Sequence, residues 1–188
     1  MEKKKYKLIK EEGTSLFRLV AMRDFSDVNR GNNGGLVEGE RNLSHNGDCW
    51  VYGNARVSGN AWVYGNAQVY GDARVSGDAQ VYGDARVSGN AQVYGDARVS
   101  GDAQVYGNAT KSPIVVTGLR WTVTITDHEM AIGCQHHDIS RWLKFTDRQI
   151  AAMDRHATQF WCDHKETLKT IFATTGRPFA KSEAEQSA

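Results

Sequence analysis

Between Trp50 and Ala109 the chain repeats every six residues. Valine recurs at positions 51, 57, 63, 69, 75, 81, 87, 93, 99 and 105, and alanine stands four places after each. A period of six fits neither a 3.6-residue helix nor a hairpin meander. It fits a short strand followed by a corner, three times per coil. In the unit Ala73-Arg74-Val75-Ser76-Gly77-Asp78, Val75 points inward while Arg74 and Ser76 point outward. The β-branched valine suits a strand, and the Gly-Asn or Gly-Asp pair suits a corner, because these residues tolerate positive φ. Eighteen residues make one coil, so residues i and i+18 stack about 4.8 Å apart. Ten units predict a little over three coils.

The outward pairs carry a second pattern. From Gln68 to Tyr106 they alternate Gln/Tyr with Arg/Ser, a period of twelve, so on a coil of eighteen every face alternates up its height. The start of the repeat breaks this. One face begins Trp50, Tyr52, Gln68, Tyr70, the second Trp62, Tyr64, Gln80, Tyr82, and the third Arg56, Ser58, Arg74, Ser76. The aromatics are either covered by the flanking residues or a sister subunit, or exposed as a platform for a partner. Trp50, Tyr52, Trp62, Tyr64, Tyr70 and Tyr82, with Arg56 and Arg74, are the candidate binding residues. In the corners Asp78 lies under Asp96 and Asp84 under Asp102, where either water screens the carboxylates or a cation sits between them, water being the expectation.

A solenoid needs capped ends. Residues 5–10 and 16–22 read as two strands with a turn at Glu12-Gly13-Thr14-Ser15. The glycine-rich run Gly31-Asn32-Asn33-Gly34-Gly35 then leads to an imperfect first coil. Counted back in sixes, Leu43 and Cys49 fall in the alanine register, and Gly39 and His45 in the valine register. After Pro113 the period changes. Trp121, Val123 and Ile125 alternate with threonines as a half-buried strand, Asp127-His128-Glu129 turns the chain, and residues 130–134 return. A short helix around 139–145 follows. Thr146-Asp147-Arg148-Gln149 is a capping box, opening one apolar stripe from Ile150 through Met153, Ala157, Trp161 and Leu168 to Phe172. Gly176 and Pro178 stop it, and the tail after Lys181 reads as disordered. The fold class is therefore mainly β: a β-helix over 49–110, an N-terminal β cap over 1–48, a β-hairpin and helices over 111–180, and a tail over 181–188.

The net charge is +1, and each of the three regions stays within one charge of neutral. No segment has the basic excess that attracts a phosphate backbone, so nucleic acid is not the expected partner. No apolar run approaches a membrane span, and no h-region follows the charged start. Three cysteines, Cys49, Cys134 and Cys162, are odd in number and sparse, so a disulfide framework is not the expected organising principle. A cytoplasmic protein with reduced thiols is expected. Cys134 with His136, and Cys162 with His164, could supply a Cys2His2 zinc site. The i,i+2 spacing on a helix makes Cys162 and His164 diverge, so ordinary core and surface roles are preferred and no metal or other cofactor is expected. A Cys134 nucleophile paired with His136 or His137, and a catalytic His45, are set aside on the same grounds, leaving no catalytic residue.

The Val-x-x-x-Ala-x pattern resembles the hexapeptide-repeat family, and the resemblance implies a left-handed, three-sided coil. The run Gly31-Asn-Asn-Gly-Gly-Leu-Val-Glu-Gly-Glu-Arg-Asn-Leu-Ser-His-Asn-Gly-Asp-Cys-Trp-Val-Tyr52, the repeat, and Trp121-Thr-Val-Thr-Ile-Thr-Asp127 with Ile132-Gly-Cys-Gln-His-His137 resemble a group of such proteins carried by phages and prophages. Leu36 stands where that group has a tryptophan. The resemblance implies a phage accessory protein in the host cytoplasm and supplies no catalytic residues. The wider family includes CoA-dependent acyltransferases and zinc enzymes, yet residues 51–109 contain no histidine and no interrupting loop. The expected function is a non-catalytic binding protein that presents rigid faces to a host protein or small ligand, as in inhibition of a bacterial defence system, and that forms a dimer or trimer. A hexapeptide acyltransferase and a structural or virion-associated spacer are the alternatives.

Overall fold

The computed structural model describes residues 4–107 and 109–177. The chain divides into two compact units, Met1–Val115 and Val116–Ala188. In the first, β1 (Tyr6–Lys10), β2 (Phe17–Ala21) and β3 (Asn33–Val37) precede a 3-10 turn at Glu40–Asn42. Ten two-residue strands follow: β4 (Trp50–Val51), β5 (Arg56–Val57), β6 (Trp62–Val63), β7 (Gln68–Val69), β8 (Arg74–Val75), β9 (Gln80–Val81), β10 (Arg86–Val87), β11 (Gln92–Val93), β12 (Arg98–Val99) and β13 (Gln104–Val105). They stack in parallel as three faces, β4-β7-β10-β13, β5-β8-β11 and β6-β9-β12. The register is eighteen throughout the regular coils, as in Trp62↔Gln80, Val63↔Val81 and Val81↔Val99. This is a parallel β-solenoid of about four turns.

The five hexads from Trp62 to Ala91 each donate three backbone N–H groups to the next coil, as Trp62 N to Ala79 O (2.9 Å), Tyr64 N to Val81 O (3.0 Å) and Asn66 N to Gly83 O (2.9 Å). All ten repeat valines are fully buried, and the alanines pack beside them at the corners. Burying a side chain of this size contributes about 1.5–3 kcal/mol. In the corner columns Asn60 Nδ2 donates to Asp78 Oδ1 at 3.0 Å and Asn66 Nδ2 to Asp84 Oδ1 at 3.1 Å, so an asparagine amide covers the uppermost carboxylate of each.

The first coil departs from the count in sixes. Val37 pairs with Val57 and Leu43 with Val63, a spacing of twenty. Leu43 therefore holds a valine position rather than an alanine one, while Cys49 keeps the alanine register, its neighbour Trp50 pairing with Gln68. The two extra residues are absorbed in the corner between Leu43 and Cys49. His45 is displaced from the valine column and stacks on Tyr6, ring centroids 4.1 Å apart. Gly34 and Gly35 belong to β3: a Cβ on Gly34 would lie 2.6 Å from Trp50, and one on Gly35 2.5 Å from Val51, so only glycine lets this strand lie so close.

The cap closes the top of the tube with polar groups that are themselves satisfied. Asn42 is fully buried; its amide donates to Gly59 O (3.0 Å) and Ala61 O (2.9 Å), and its Oδ1 accepts from Glu38 N and Gly39 N. Lys5, also fully buried, donates from Nζ to Cys49 O (2.9 Å), Gly47 O (3.2 Å) and Cys49 Sγ (3.2 Å). Burial pulls the Lys5 ammonium below its usual pKa and pushes the Cys49 thiol up.

In the second unit β15 (Val123–Ile125), β16 (Glu129–Ile132) and β17 (Gln135–Asp138) form an antiparallel meander; β14 (Ile114–Val116) lies where the chain passes between units. Residues 135–138 thus add a third strand to the expected hairpin. Thr124 and Thr126 are buried along with Val123 and Ile125, so the first strand is covered on both sides rather than half-buried. The helices are α1 (Ile139–Trp142), α2 (Asp147–Ala151) and α3 (Ala157–Thr174). Thr146 and Gln149 form the capping box, with Thr146 Oγ1 accepting from Gln149 N. The single expected stripe is broken after α2 because Asp154 Oδ1 accepts from His156 N at 2.8 Å, a local turn that competes with helix. No described helix is long and apolar enough to cross a membrane. The expected stop at Pro178, the tail after Lys181 and Asn108 lie outside the described residues.

Two corner glycines with the same backbone conformation isolate the effect of coil stacking. Gly71 (φ +73°) would place a Cβ 2.9 Å from Gly89 O, whereas a Cβ on Gly95 (φ +65°) meets nothing within 4 Å. Gly95→Ala should cost about 1–2 kcal/mol for the left-handed conformation alone. Gly71→Ala should cost measurably more in urea denaturation; equal costs would show that coil contact does not limit the corner.

Candidate functional site

The eight candidate residues end up in three environments. Trp50 is buried, edge-on to Tyr6 and Phe25 at centroid distances of 6.3 and 5.3 Å. It is a core residue of the cap and is unavailable to a partner. Tyr52, on the same face, is partly covered and donates its hydroxyl to Asp27 Oδ1 at 2.7 Å. Burial, with the Asp27 carboxylate beside it, raises the Tyr52 phenol pKa. Tyr70 lies below Tyr52, edge-on at 6.5 Å. Residues 22–30, which cover this face through Phe25 and Asp27, have no periodic pattern that the sequence analysis could use.

The second face is open. Trp62 is 43 % exposed and stacks on Tyr64 with centroids 4.1 Å apart and planes 25° apart. Tyr64 in turn stacks on Tyr82, one coil below, at 4.8 Å and 6°. The strands hold these rings parallel: positions 62 and 64 flank inward Val63, and position 82 lies eighteen residues after 64. The result is a three-ring surface fixed by backbone that cannot slide. Burial in this stack, with the neighbouring Tyr82, raises the Tyr64 phenol pKa. Such a surface can pack against apolar or planar groups and, through the ring faces, against cations.

The third face forms a polar groove of about 490 Å³ against the β1–β2 turn, lined by Thr14, Ser15, Leu16, Glu38, Arg56, Ser58, Arg74 and Ser76. Arg56 pairs directly with Arg74 across β5 and β8. Adjacent like charges repel, so an anion between them would be favoured. Glu38 is engaged elsewhere, accepting from Gly59 N at 2.6 Å and pairing with Arg41. Arg18 fixes the turn over this face: it makes a bidentate pair with Glu11 and donates to Gly34 O and Gly53 O. The turn's contribution to the groove was not foreseen from the repeat.

The cysteine and histidine pairs do not assemble as a zinc site. Cys134 and Cys162 are exposed free thiols; His136 lies on β17 bonded to Glu129, and His164 on α3 against Phe160. His45 has its Nδ1 accepting from Lys5 N, and its Nε2 is buried without a partner. Burial lowers the His45 pKa. The second unit also contains a mainly apolar cavity of about 100 Å³, with Trp121, Trp142, Trp161 and Phe160 among its lining residues.

The two tryptophans should separate in stability. Trp50→Ala should destabilise the protein by about 3–5 kcal/mol, as expected of a buried aromatic. Trp62→Ala should change stability by less than about 1 kcal/mol. Thermal and urea melts of the two variants check this; a large loss for Trp62→Ala would make it a structural residue.

Residues 51–65, 67–79, 79–91 and 91–105 match the family profile described as the YdcK Beta solenoid repeat. A search of the curated proteins found no match. The four matches fall within the hexad stretch that the structure winds into coils, and together these findings make the chain a β-solenoid repeat protein.

Proposed function

We propose that this chain is a non-catalytic binding protein whose rigid solenoid faces recognise another protein. The observation that carries the reading is the Trp62–Tyr64–Tyr82 stack, an aromatic surface left open on a backbone locked by inter-coil hydrogen bonds. Tryptophan, tyrosine and arginine are the residues that most often dominate protein interfaces. Prealigned rings lose little conformational entropy on docking, so more of the contact energy appears as affinity. The arginine groove on the neighbouring face suits an acidic side chain of the partner. The resemblance to phage and prophage hexapeptide proteins makes a host protein, such as a component of a defence system in the bacterial cytoplasm, the partner of choice. A symmetric dimer or trimer completes the proposal.

A partner captured from host lysate, identified by mass spectrometry and then purified, should bind the Trp62→Ala/Tyr64→Ala variant at least tenfold more weakly, with the variant's melting curve unchanged. Unaltered affinity would place recognition elsewhere. Acetyl-CoA should leave the melting temperature unchanged, because an acyltransferase would be stabilised by its substrate; a saturable rise would favour the enzyme reading. Light scattering should report a dimer or trimer, and a monomer at all concentrations would remove that part of the proposal.

A further inference from the structure

In the second unit, β16 and β17 bring together side chains that the binding role does not use. Glu129 pairs directly with Asp138 across the two strands, and Ile139 N donates to His128 O at 2.9 Å. Backbone pairing therefore fixes His128, Glu129 and Asp138 at one end of the meander. One potential ligand atom from each lies within 4.8 Å of the other two. His128 Nε2 is 3.9 Å from Glu129 Oε1. His136, diagonal to Glu129 on the same face, reaches the other oxygen, Oε2, with its Nε2 at 3.1 Å. His137 alternates to the opposite face, between Trp142 and Phe145.

Two observations indicate that this is more than a polar surface. Asp138 Oδ1 is buried and has no hydrogen-bond partner. Asp138 also occupies the N-cap of α1, where aspartate normally accepts a backbone N–H, yet its side chain makes no capping bond. Its carboxylate is instead held opposite a second carboxylate, beside a histidine whose side chain is only 10 % exposed. A buried carboxylate oxygen with no partner is costly to leave bare, and a cation bound there offsets that cost.

We propose that His128, Glu129 and Asp138 bind a divalent transition-metal ion of the zinc type, through one imidazole nitrogen and two carboxylate oxygens. Metal–ligand distances of about 2.0–2.2 Å put the ligand atoms of a tetrahedral site about 3.3–3.6 Å apart, so the three atoms need to close by little more than an ångström. His136 acts as a positioning residue by holding the second Glu129 oxygen. Water completes the coordination, and the mixed nitrogen and oxygen donors favour zinc or manganese over magnesium.

Tag-free protein titrated with Zn²⁺, Mn²⁺ and Mg²⁺ in a calorimeter tests this. The expected result is one Zn²⁺ per chain at micromolar or tighter affinity, with Mg²⁺ at least a hundredfold weaker. Asp138→Asn and His128→Gln should each weaken Zn²⁺ by a hundredfold or more, and His136→Phe by ten- to a hundredfold. Without metal, Asp138→Asn should melt no lower than the parent, because it removes the facing charge; with saturating Zn²⁺ only the parent should gain melting temperature. Cys134→Ser/Cys162→Ser should bind as the parent does. No Zn²⁺ binding by folded parent protein, or full binding by both Asp138→Asn and His128→Gln, would overturn the assignment.

Discussion

The structure rests on one repeated contact, the backbone N–H of a residue meeting the carbonyl seventeen positions later. Arg74 N to Ala91 O and Ser76 N to Val93 O, both 2.9 Å, are typical. Each coil is a template for the next, and a one-residue slip would turn every valine outward. The strands are only two residues long, so ladder bonds alone would not hold them. Valine and alanine columns supply the burial, and the corner glycines allow the closest backbone approach between coils. These requirements are local and identical in every hexad, which is why so simple a sequence can specify so regular an object.

The end of the tube cannot be regular, because the first coil has no coil above it. Side chains meet the carbonyls that the regular ladder leaves open: the Lys5 ammonium takes Gly47 and Cys49 of the first coil, and the Asn42 amide takes Gly59 and Ala61 of the coil beneath it. A buried cation is costly to desolvate, and three acceptors around Lys5 Nζ offset that cost. Tyr6 closes the same corner, donating its hydroxyl to Leu43 O at 2.6 Å while its ring stacks on His45. The two-residue excess between Leu43 and Cys49 makes room for that arrangement.

What was legible in the sequence follows the same division. The coil length, inward valines and three outward faces were readable because each is stated ten times. The Leu43 register was not, since an insertion inside a corner leaves the flanking hydrophobic residues plausible in either frame. Trp50 and Trp62 occupy equivalent positions in identical hexads, Trp-Val-Tyr-Gly-Asn-Ala, so nothing within the hexad distinguishes them. Their different fates are decided by Phe25 and Tyr6, brought over Trp50 by long-range pairing of β1, β2 and β3. In the second unit, alternation suggested a half-buried strand, but Thr124 and Thr126 are buried as deeply as Val123 and Ile125. His128, Glu129 and Asp138 are neighbours only because residues 135–138 form a strand, which their polar composition did not suggest.

The candidate faces share a single origin. From Gln68 onward the Gln/Tyr and Arg/Ser pairs alternate with period twelve, so each pair lies over its opposite. Between Tyr64 and Tyr70 the alternation slips by one hexad, since Trp62/Tyr64 and Gln68/Tyr70 are consecutive aromatic units. Above the slip, like therefore lies over like: Tyr52 over Tyr70, Tyr64 over Tyr82, and Arg56 over Arg74. An uninterrupted alternation would have put Arg/Ser at 62 and 64 and dispersed the rings. The cap takes the Trp50 and Tyr52 column for its own core, which leaves the Trp62 stack and the paired arginines as the places where a periodic surface becomes specific. The outer surface departs from its period at one place, between Tyr64 and Tyr70, and that departure is what gathers the rings and the arginines.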